Sequence, residues 1–341
     1  MNDSGHKPTD RAVRVEDVAR VAGVSPITVS RALRTPEKVK PATLERVLEA
    51  VKETGYQVNA IASSLRSGQS AFVTVFVASL QNVHYAAAMQ GMLDVFEGSR
   101  FHLMFAQIGY AEDLSAGQIR GMLPFKPAAV VFSGIVRDEG ARHFLRSLNL
   151  PILEMWGETE EAIDMLVASP GREGGRLMGE HFGEQGYERI AYVGHTSTRA
   201  SHRIAGFEAG LGRHGKKVSL LLPAEGTQEM EDGVRALEQV LAQLPDCDAI
   251  MFGTDVMAAG ALVRAQELGL TMPHRIAIAG YGDLFFAAHT RPKLTSVHTG
   301  PYEVGQIAGR LLRQRLDTGK VDKPIIQVPL RLEVRGSTLR R

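Results

Sequence analysis

The sequence predicts an all-α head followed by an α/β body built on parallel sheets. Residues 15 to 54 carry apolar side chains at helical spacing, which predicts three short helices. From Phe72 onward, short continuous apolar runs alternate with longer amphipathic segments, as is typical of strands that are covered on both faces. Eight such runs within roughly 210 residues favour two doubly wound lobes. A single eight-unit barrel is the structural alternative, and the irregular unit lengths disfavour it.

The head has the start and stop signals of a helix-turn-helix. The first helix ends before Gly23, and the second begins with Ser25 as N-cap and Pro26 at the first helical position. The third helix places Leu44, Val47, Leu48 and Val51 on one face and stops at Gly55. Two short helices joined through "AGVS" are the arrangement that DNA-binding helix-turn-helix domains use.

The body alternates strand and helix signals along the chain. The predicted helices span 86–98, 171–185, 201–214, 255–268 and 301–318. The predicted strands are the runs "FVTVFVA" from 72, "FHLMFA" from 101, "AAVVF" from 128, "PILEM" from 151, "RIAYVG" from 189, "VSLLLP" from 218, "AIMFG" from 249 and "IAIAG" from 276.

Composition bounds the class of protein. The chain has 341 residues, with 39 Lys and Arg against 38 Asp and Glu, but residues 1 to 69 hold 11 basic against 8 acidic side chains. The sign of that local excess suits a head that binds nucleic acid. The N-terminal segment lacks the apolar core of a signal peptide, and no apolar run reaches the length of a membrane span. A cytoplasmic protein without a membrane partner is therefore expected.

The second helix is the candidate DNA reader. Helical periodicity turns Val29, Ala32 and Leu33 inward and leaves a face of hydroxyls, small apolar groups and guanidinium side chains outward. An outward Arg31 can bind guanine through two hydrogen bonds, and Ile27 can touch a thymine methyl group. From the pattern alone, a capped helix pair that packs on a partner protein remains the alternative.

The stretch "VRVEDVARVAGVSPITVSRAL", together with "VKPATLERVLEAVKETGYQVNAIASSLRSGQS", resembles the DNA-binding head of the lac repressor family of bacterial transcription regulators. The resemblance implies a helix-turn-helix domain over residues 13–58. It places Pro26, Ile27 and Arg31 at base-reading positions, and Ser25, Thr28, Ser30 and Arg34 near phosphates. Here Lys40 and Pro41 replace the usual serine cap of the third helix.

The resemblance also implies a hinge helix over residues 59–69, where Asn59 and Leu65 contact DNA and Leu65 is a minor-groove wedge. The body, residues 70–339, then resembles a periplasmic sugar-binding protein with two interleaved lobes. The expected first lobe takes about 70–160 and 292–322, and the second about 161–291 and 323–339. The stretch "TRPKLTSVH" from 290 to 298 is the expected crossover.

A ligand cleft between the lobes is implied by the same resemblance. Arg203 matches the family's effector-binding arginine, and a planar guanidinium suits a carboxylate or a vicinal diol. Pairing of Arg203 with a nearby acid, and a core position for Trp156, remain the structural alternatives; otherwise Trp156 is expected to stack on a ligand face. The other expected ligand contacts are Ser79, His84, Tyr85, Ser133, Ser197, Arg199, Thr254, Asp255 and Asp283.

One departure from the family bears on the ligand. In "GYGD", counting back from Pro292 puts Gly282 where many relatives carry a ligand-binding acid. Loss of that acid, with Arg199, Arg203 and His84 retained, favours an anionic ligand. Body segments such as "AQIGYAEDLSAGQIRGML" are similar to the gluconate-type repressor subgroup, so gluconate or 2-ketogluconate is the preferred effector.

Other motifs do not indicate catalysis. The glycines Gly210, Gly212 and Gly215 spell G-x-G-x-x-G, but they follow a helix and precede a strand, which is the wrong context for a dinucleotide. Cys247 is expected to be a buried small hydrophobe. No cofactor or metal site and no enzymatic activity are expected.

The favoured function is that of an effector-controlled repressor that binds near-palindromic double-stranded operator DNA as a homodimer, with a sugar acid as its ligand. An α/β enzyme acting on a sugar acid with an accessory helical head is the alternative, and it lacks a recognisable catalytic constellation. A plain sugar-binding protein does not explain the head. Whether the ligand releases or recruits DNA stays open.

Overall fold

A computed structural model describes residues 13–56, 70–110, 114–123, 125–159, 161–196, 198–224 and 229–340, apart from the side chains of Arg34, Thr198 and Arg199. The expected DNA contacts Asn59 and Leu65 and the expected ligand contact Ser197 lie outside the described residues. The chain forms two compact units, Met1–Gln69 and Ser70–Arg341. The expected head, 13–58, falls in the first unit, and the expected body, 70–339, falls in the second.

The head is the predicted bundle of short helices, α1 (Val15–Ala22), α2 (Pro26–Arg34) and α3 (Pro41–Thr54). Gly23 and Gly55 adopt left-handed φ values of 63° and 66° where α1 and α3 end, which glycine does without steric cost. As expected from its sequence, α3 begins at Lys40 and Pro41 without a side-chain cap. The three helices enclose one small apolar core, made of Val18, Ala19, Ala22, Val29, Ala32, Val47 and Ala50.

The body consists of twelve strands and eight α-helices in the part of the chain that the structure describes. The strands are β1 (Phe72–Val77), β2 (His102–Gln107), β3 (Ala129–Phe132), β4 (Ile152–Met155), β5 (Met165–Ala168), β6 (Ile190–Gly194), β7 (Val218–Pro223), β8 (Ala249–Phe252), β9 (Ala277–Gly282), β10 (Thr295–His298), β11 (Ile325–Gln327) and β12 (Arg331–Glu333). The helices are α4 (Val83–Phe96), α5 (Ala116–Gly121), α6 (Glu139–Ser147), α7 (Gly171–Glu184), α8 (Thr198–Gly212), α9 (Met230–Gln243), α10 (Asp255–Glu267) and α11 (Pro301–Thr318).

The strands form two six-stranded sheets, one in each lobe. The first has the order β11-β5-β4-β3-β1-β2 and the second β12-β10-β9-β8-β6-β7. All neighbouring strands are parallel except β10 and β12. The predicted pair of doubly wound lobes is confirmed, and the single barrel is wrong because the strands divide between two sheets.

The expected lobe boundaries need correction. Strand β5 pairs with β4, so the first lobe continues to Ala168 and does not end near residue 160. Strand β10 pairs with β9, so "TSVH" belongs to the second lobe and the return to the first lobe follows it. The chain crosses a last time between β11, which pairs with β5, and β12, which pairs with β10. Sheet pairing fixes these boundaries.

Three helix pairs pack with their backbones in close approach. A Cβ atom built on Gly206 of α8 would lie 1.9 Å from the Arg172 carbonyl oxygen of α7, and one on Gly175 of α7 would lie 2.0 Å from the Arg203 carbonyl oxygen of α8. The same reciprocal arrangement joins α4 to α11 through Gly91 and Gly305. It also joins α9 to α10 through Gly233 and Gly260, so glycine sets the helix spacing in both lobes.

None of the described helices has the length and apolar character needed to cross a membrane.

Candidate DNA-reading surface and ligand cleft

The start of α2 presents the predicted reading surface. The Ser25 hydroxyl accepts a hydrogen bond from the Thr28 backbone N–H at 3.1 Å and so caps the helix. Pro26 at the first helical position has a fixed φ that suits the helix. Ile27 is 71% exposed although it is aliphatic, because Val29 and Ala32 take the core side of the helix. An exposed isoleucine next to a helix start is available for an apolar contact with a base.

Arg31 is exposed one turn further along α2. Among the described residues its guanidinium makes no hydrogen bond or ion pair, which leaves its donors available for a base edge. Thr28 and Ser30 are half-buried, and the Thr28 hydroxyl lies 2.9 Å from that of Ser25. The backbone of Arg34 ends α2, and its side chain lies outside the described residues.

A cleft of about 320 Å³ lies between the two lobes of the body. Its walls come from residues at or just beyond the carboxyl ends of strands in both sheets, which is where ligands bind in open α/β folds. Six of the expected ligand contacts line it, namely Ser79, His84, Tyr85, Trp156, Arg203 and Thr254.

A smaller cavity of about 130 Å³ adjoins this cleft. Tyr85, Trp156 and His195 line both spaces. Ser133, an expected contact, lines only the smaller one, and its hydroxyl accepts a hydrogen bond from the Ala78 N–H at 2.9 Å. Ser133 therefore also joins the ends of two neighbouring strands.

Arg203 brings a cation to the second-lobe wall of the cleft. Its Nη1 donates to the Gly253 carbonyl oxygen at 2.7 Å, and its Cζ lies 3.7 Å from the centroid of the Tyr281 ring. Its Nε is buried and has no hydrogen-bond partner in the part of the chain that the structure describes. Among the described residues no carboxylate pairs with this guanidinium, so no Arg–acid pair is present in that part of the chain.

Asn82 organises the first-lobe wall at the start of α4. Its side-chain oxygen accepts from the His84 N–H at 3.0 Å, and its amide nitrogen donates to the Tyr110 hydroxyl at 3.1 Å. The Ser79 hydroxyl accepts from the Asn82 N–H at 3.3 Å. These bonds fix the loop after β1 so that His84 and Tyr85 line the cleft.

Three contacts link the lobes directly. Glu158 follows β4, and its Oε2 lies 3.2 Å from Nδ1 of His202 in α8. Its Oε1 accepts from the Arg172 N–H at 3.0 Å, in the first turn of α7, where the Pro170 N-cap offers no side-chain hydrogen bond. The rings of Tyr110 and His195 lie 5.5 Å apart across the cleft.

Asp255 and Asp283 do not line the cleft, contrary to expectation. Asp255 is fully buried and accepts hydrogen bonds from Ser296 Oγ at 2.5 Å and the Leu284 N–H at 2.6 Å. Burial raises its pKa to about 6. Asp283 accepts from Arg335 at 2.7 Å and lies 2.8 Å from His298 Nδ1. Both carboxylates have protein partners behind the cleft wall.

Several cleft residues escaped the sequence prediction. Tyr110 and His195 follow the predicted strands at 101 and 189, so the rule that strand ends meet at one edge could have found them. Glu158 and His202 line the smaller cavity, but no local pattern marks them. The side chain of Arg199 lies outside the described residues. Others that line the larger cleft are Gln81, Asn82, Ser169, Glu229, Tyr281 and Thr299.

Cys247 is buried as expected, and burial raises the pKa of its thiol to about 12. Gly210 and Gly212 lie at the end of α8, and Gly215 has a left-handed φ of 70° in the turn before β7. This part of the chain therefore ends a helix and does not open one.

Two family models match separate parts of the chain. The bacterial regulatory proteins of the lacI family match residues 14–59, and the periplasmic binding protein-like domain matches residues 180–338.

Relatives match over nearly the full length. Catabolite control protein A of Priestia megaterium is 29% identical over 330 residues, covering 96% of this chain and 99% of the relative. The HTH-type transcriptional regulator GntR of Pseudomonas aeruginosa is 29% identical over 341 residues, covering 99% and 98%.

Solved structures agree with the fold. A LacI family transcriptional regulator from Silicibacter pomeroyi superposes with a TM-score of 0.87 at 28% identity, covering 96% of this chain and all of that one. The lac repressor dimer bound to operator and the anti-inducer ONPF superposes with a TM-score of 0.80 at 25% identity, covering 97% and 100%. The head, the two-lobed body and these likenesses agree: the chain combines a DNA-binding domain of the bacterial lacI regulatory family with a periplasmic binding protein-like domain, and its relatives are LacI-family transcriptional regulators.

Proposed function

We propose that this regulator acts as a homodimeric repressor whose affinity for operator DNA is controlled by a sugar acid bound between the lobes of its body. The observation that carries the ligand class is Arg203, a cleft arginine with no carboxylate partner among the described residues. A guanidinium in such a position gains most from a ligand that brings its own carboxylate, since two parallel charge-assisted hydrogen bonds can form.

The lining of the cleft supports an anionic ligand. Among the described residues, the larger space is lined by the cation of Arg203 and by the imidazole rings of His84 and His195, and the one carboxylate on its wall, that of Glu229, is exposed. Gly282 stands where many relatives carry a ligand-binding acid, and Asp255 and Asp283 are held by protein partners. A neutral sugar or a basic ligand finds few carboxylate acceptors here. Gluconate and 2-ketogluconate are the effectors that we propose.

The head supports the DNA-reading half of the proposal. Pro26 has no N–H and its side chain has no hydrogen-bonding group, so discrimination between bases falls on Ile27 and Arg31. Ser25, Thr28, Ser30 and Arg34 are assigned to phosphate contacts, and Asn59 and Leu65 to contacts at the hinge. Two heads in a dimer would read the two halves of a near-palindromic site, in keeping with the operator-bound dimer of the lac repressor.

Arg203→Ala tests the ligand assignment. Titration calorimetry of the full chain with gluconate, 2-ketogluconate and glucose should give heat with an acid for the wild type and none for Arg203→Ala. Both proteins should bind the same operator fragment, selected by the wild type from a random duplex library, with similar affinity. Arg213→Ala is the matched control, since Arg213 follows α8 and pairs with Glu180 away from the cleft.

Two results would contradict the proposal. Full ligand response in Arg203→Ala would show that the guanidinium does not hold the ligand. Heat from glucose with silence from both acids would show that the ligand is neutral. If Arg31→Ala still discriminates the operator from other DNA, the proposed base-reading role of Arg31 is wrong, whatever the result for the ligand.

A further inference from the structure

Trp156 stands at the partition between the two cavities. It follows β4, lines both spaces, and is 3% exposed. It is also the single tryptophan of the chain. Its indole ring therefore borders the space that a ligand in either cavity would occupy.

Two features of Trp156 are uncommon in folded proteins. Its φ is 57°, a left-handed value that is uncommon for a bulky side chain. Its Nε1 is buried and has no hydrogen-bond partner among the described residues, which is rare for a buried donor. Strain and an unpaired donor at the same cleft residue point to a role in binding and not in packing alone.

The surroundings hold the ring in this position. The backbone N–H of Trp156 donates a hydrogen bond to the Val167 carbonyl oxygen at 2.9 Å. The next residue, Gly157, has no room for a side chain, since a Cβ atom built on it would lie 1.9 Å from a side-chain carbon of Ile135. The rings of His84 and Tyr85 have their centroids 5.0 and 5.1 Å from that of the indole. The ring is thus packed against protein aromatics, and stacking on a ligand face stays a prediction.

We propose that the Trp156 Nε1–H is a specificity determinant that donates a hydrogen bond to a hydroxyl or carbonyl oxygen of the ligand, a role that rests on the proposed sensing of a sugar acid. Arg203, on the opposite lobe, also has a buried Nε that finds no partner among the described residues. A polyhydroxy carboxylate satisfies both donors, its carboxylate at Arg203 and a distant oxygen at Trp156. Such a ligand joins the two lobes, whereas an acid without hydroxyl groups satisfies only one of them.

The test compares gluconate with hexanoate, which has the same number of carbon atoms and the carboxylate but no hydroxyl groups. Trp156→Phe in the full chain keeps an aromatic ring and removes the N–H. It should lose roughly tenfold or more in affinity for gluconate, because a hydrogen bond to a buried donor is lost. The ratio of its gluconate affinity to its hexanoate affinity should fall by that factor relative to the wild type, and its unfolding midpoint without ligand measures the packing lost with the smaller ring separately.

A second variant guards against misfolding of Trp156→Phe. Biosynthetic replacement of tryptophan by 3-benzothienylalanine exchanges the N–H for sulfur in a ring of nearly the same shape, and it changes one position because the chain has one tryptophan. It should show the same selective loss toward gluconate. The tryptophan fluorescence of the wild type comes from Trp156 alone, because the chain has one tryptophan. It should change on addition of gluconate, with the dissociation constant that calorimetry gives.

The outcomes separate the two proposals. If the wild type binds gluconate and both variants bind it with the same affinity, the proposed role of Trp156 is overturned and the sugar-acid proposal stands. Equal losses toward gluconate and hexanoate would indicate a packing role and overturn it too. Silence of the wild type toward gluconate and 2-ketogluconate would overturn the proposed effector and this inference with it.

Discussion

At the scale of single residues, neighbours in sequence have opposite environments. Thr254 lines the cleft, and its hydroxyl accepts from the Met257 N–H at 3.3 Å as the N-cap of α10. Asp255 begins the helix, and its carboxylate turns into the second lobe, where Ser296 and Leu284 bind it. A carboxylate removed from water in this way prefers to be protonated.

The buried Asp255 predicts a pH dependence of stability. Burial raises its pKa from 3.8 to about 6, so the folded protein holds this proton more tightly than the unfolded chain does. Its contribution to stability is therefore present at low pH and is lost as the pH rises from about 4 to about 6. Two pKa units correspond to about 3 kcal/mol. Asp255→Asn, which has no such proton to lose, should gain stability relative to the wild type over that interval by up to this amount.

Urea unfolding of both proteins at pH 4.5 and pH 7 measures the effect. Asp246→Asn is the control, because its side chain is 64% exposed. The difference between wild type and Asp255→Asn should change between the two pH values, and the difference between wild type and Asp246→Asn should not. An Asp255→Asn difference that stays constant with pH would mean that the buried carboxylate keeps an ordinary affinity for protons.

At the scale of elements, the cleft geometry depends on helix spacing. Arg203 sits on α8, and its own carbonyl oxygen lies against Gly175 of α7. Gly206, less than one turn further on, lies against the Arg172 carbonyl oxygen. In the same turn of α7, the Arg172 N–H donates a hydrogen bond to the carboxylate of Glu158 in the first lobe. A change in the spacing of α7 and α8 would therefore move both Arg203 and the contact between the lobes.

Gly206→Ala should separate α7 from α8. A Cβ atom 1.9 Å from a carbonyl oxygen cannot be accommodated without movement of a helix backbone. Overpacking of this kind destabilises by about 1–3 kcal/mol. It should also weaken gluconate binding, since Arg203 moves with α8. Thermal unfolding and calorimetry measure the two effects.

Gly212→Ala is the matched control on the same helix. A Cβ atom at Gly212 has nothing within 4 Å, so this change should be neutral or stabilise by up to about 1 kcal/mol through reduced backbone entropy. Ligand affinity should stay at the wild-type value. Equal behaviour of the two alanine variants would show that the close approach does not set the helix spacing.

The elements also show what the sequence could and could not predict. All eight apolar runs became strands, because a continuous apolar run in an α/β chain has few other places to go. Strand β5 is only four residues long and follows an acidic loop, and β11 and β12 have three residues each. Their pairing depends on distant partners, and no local pattern contains that information.

The site residues likewise fall into those that the sequence predicts and those that it does not. Strand ends predicted Ser79, Trp156 and Thr254, since they follow apolar runs directly. Asp255 was misplaced because one step along a helix turns a side chain by about 100° and moved it out of the cleft. The Glu158 to His202 contact joins residues from two lobes, so it depends on how the lobes close.

At the scale of the whole molecule, the cleft ligand and the operator must act through one equilibrium of the protein. The lobes meet through Glu158 with His202 and through Tyr110 with His195, so a ligand between them favours a particular lobe arrangement. If that arrangement changes operator affinity, the operator must change ligand affinity by the same factor. Couplings of this kind amount to about 5- to 150-fold.

We therefore expect saturating gluconate to shift the dissociation constant for the selected operator, and saturating operator to shift the dissociation constant for gluconate by an equal factor. Fluorescence anisotropy of labelled operator gives the first factor, and calorimetry of the protein with and without operator gives the second, at one fixed salt concentration because phosphate contacts are salt-dependent. Arg203→Ala should abolish both factors while it binds operator, and Arg213→Ala should preserve both. If the wild type binds gluconate and operator tightly but neither changes the dissociation constant of the other, the cleft and the head of this chain work independently.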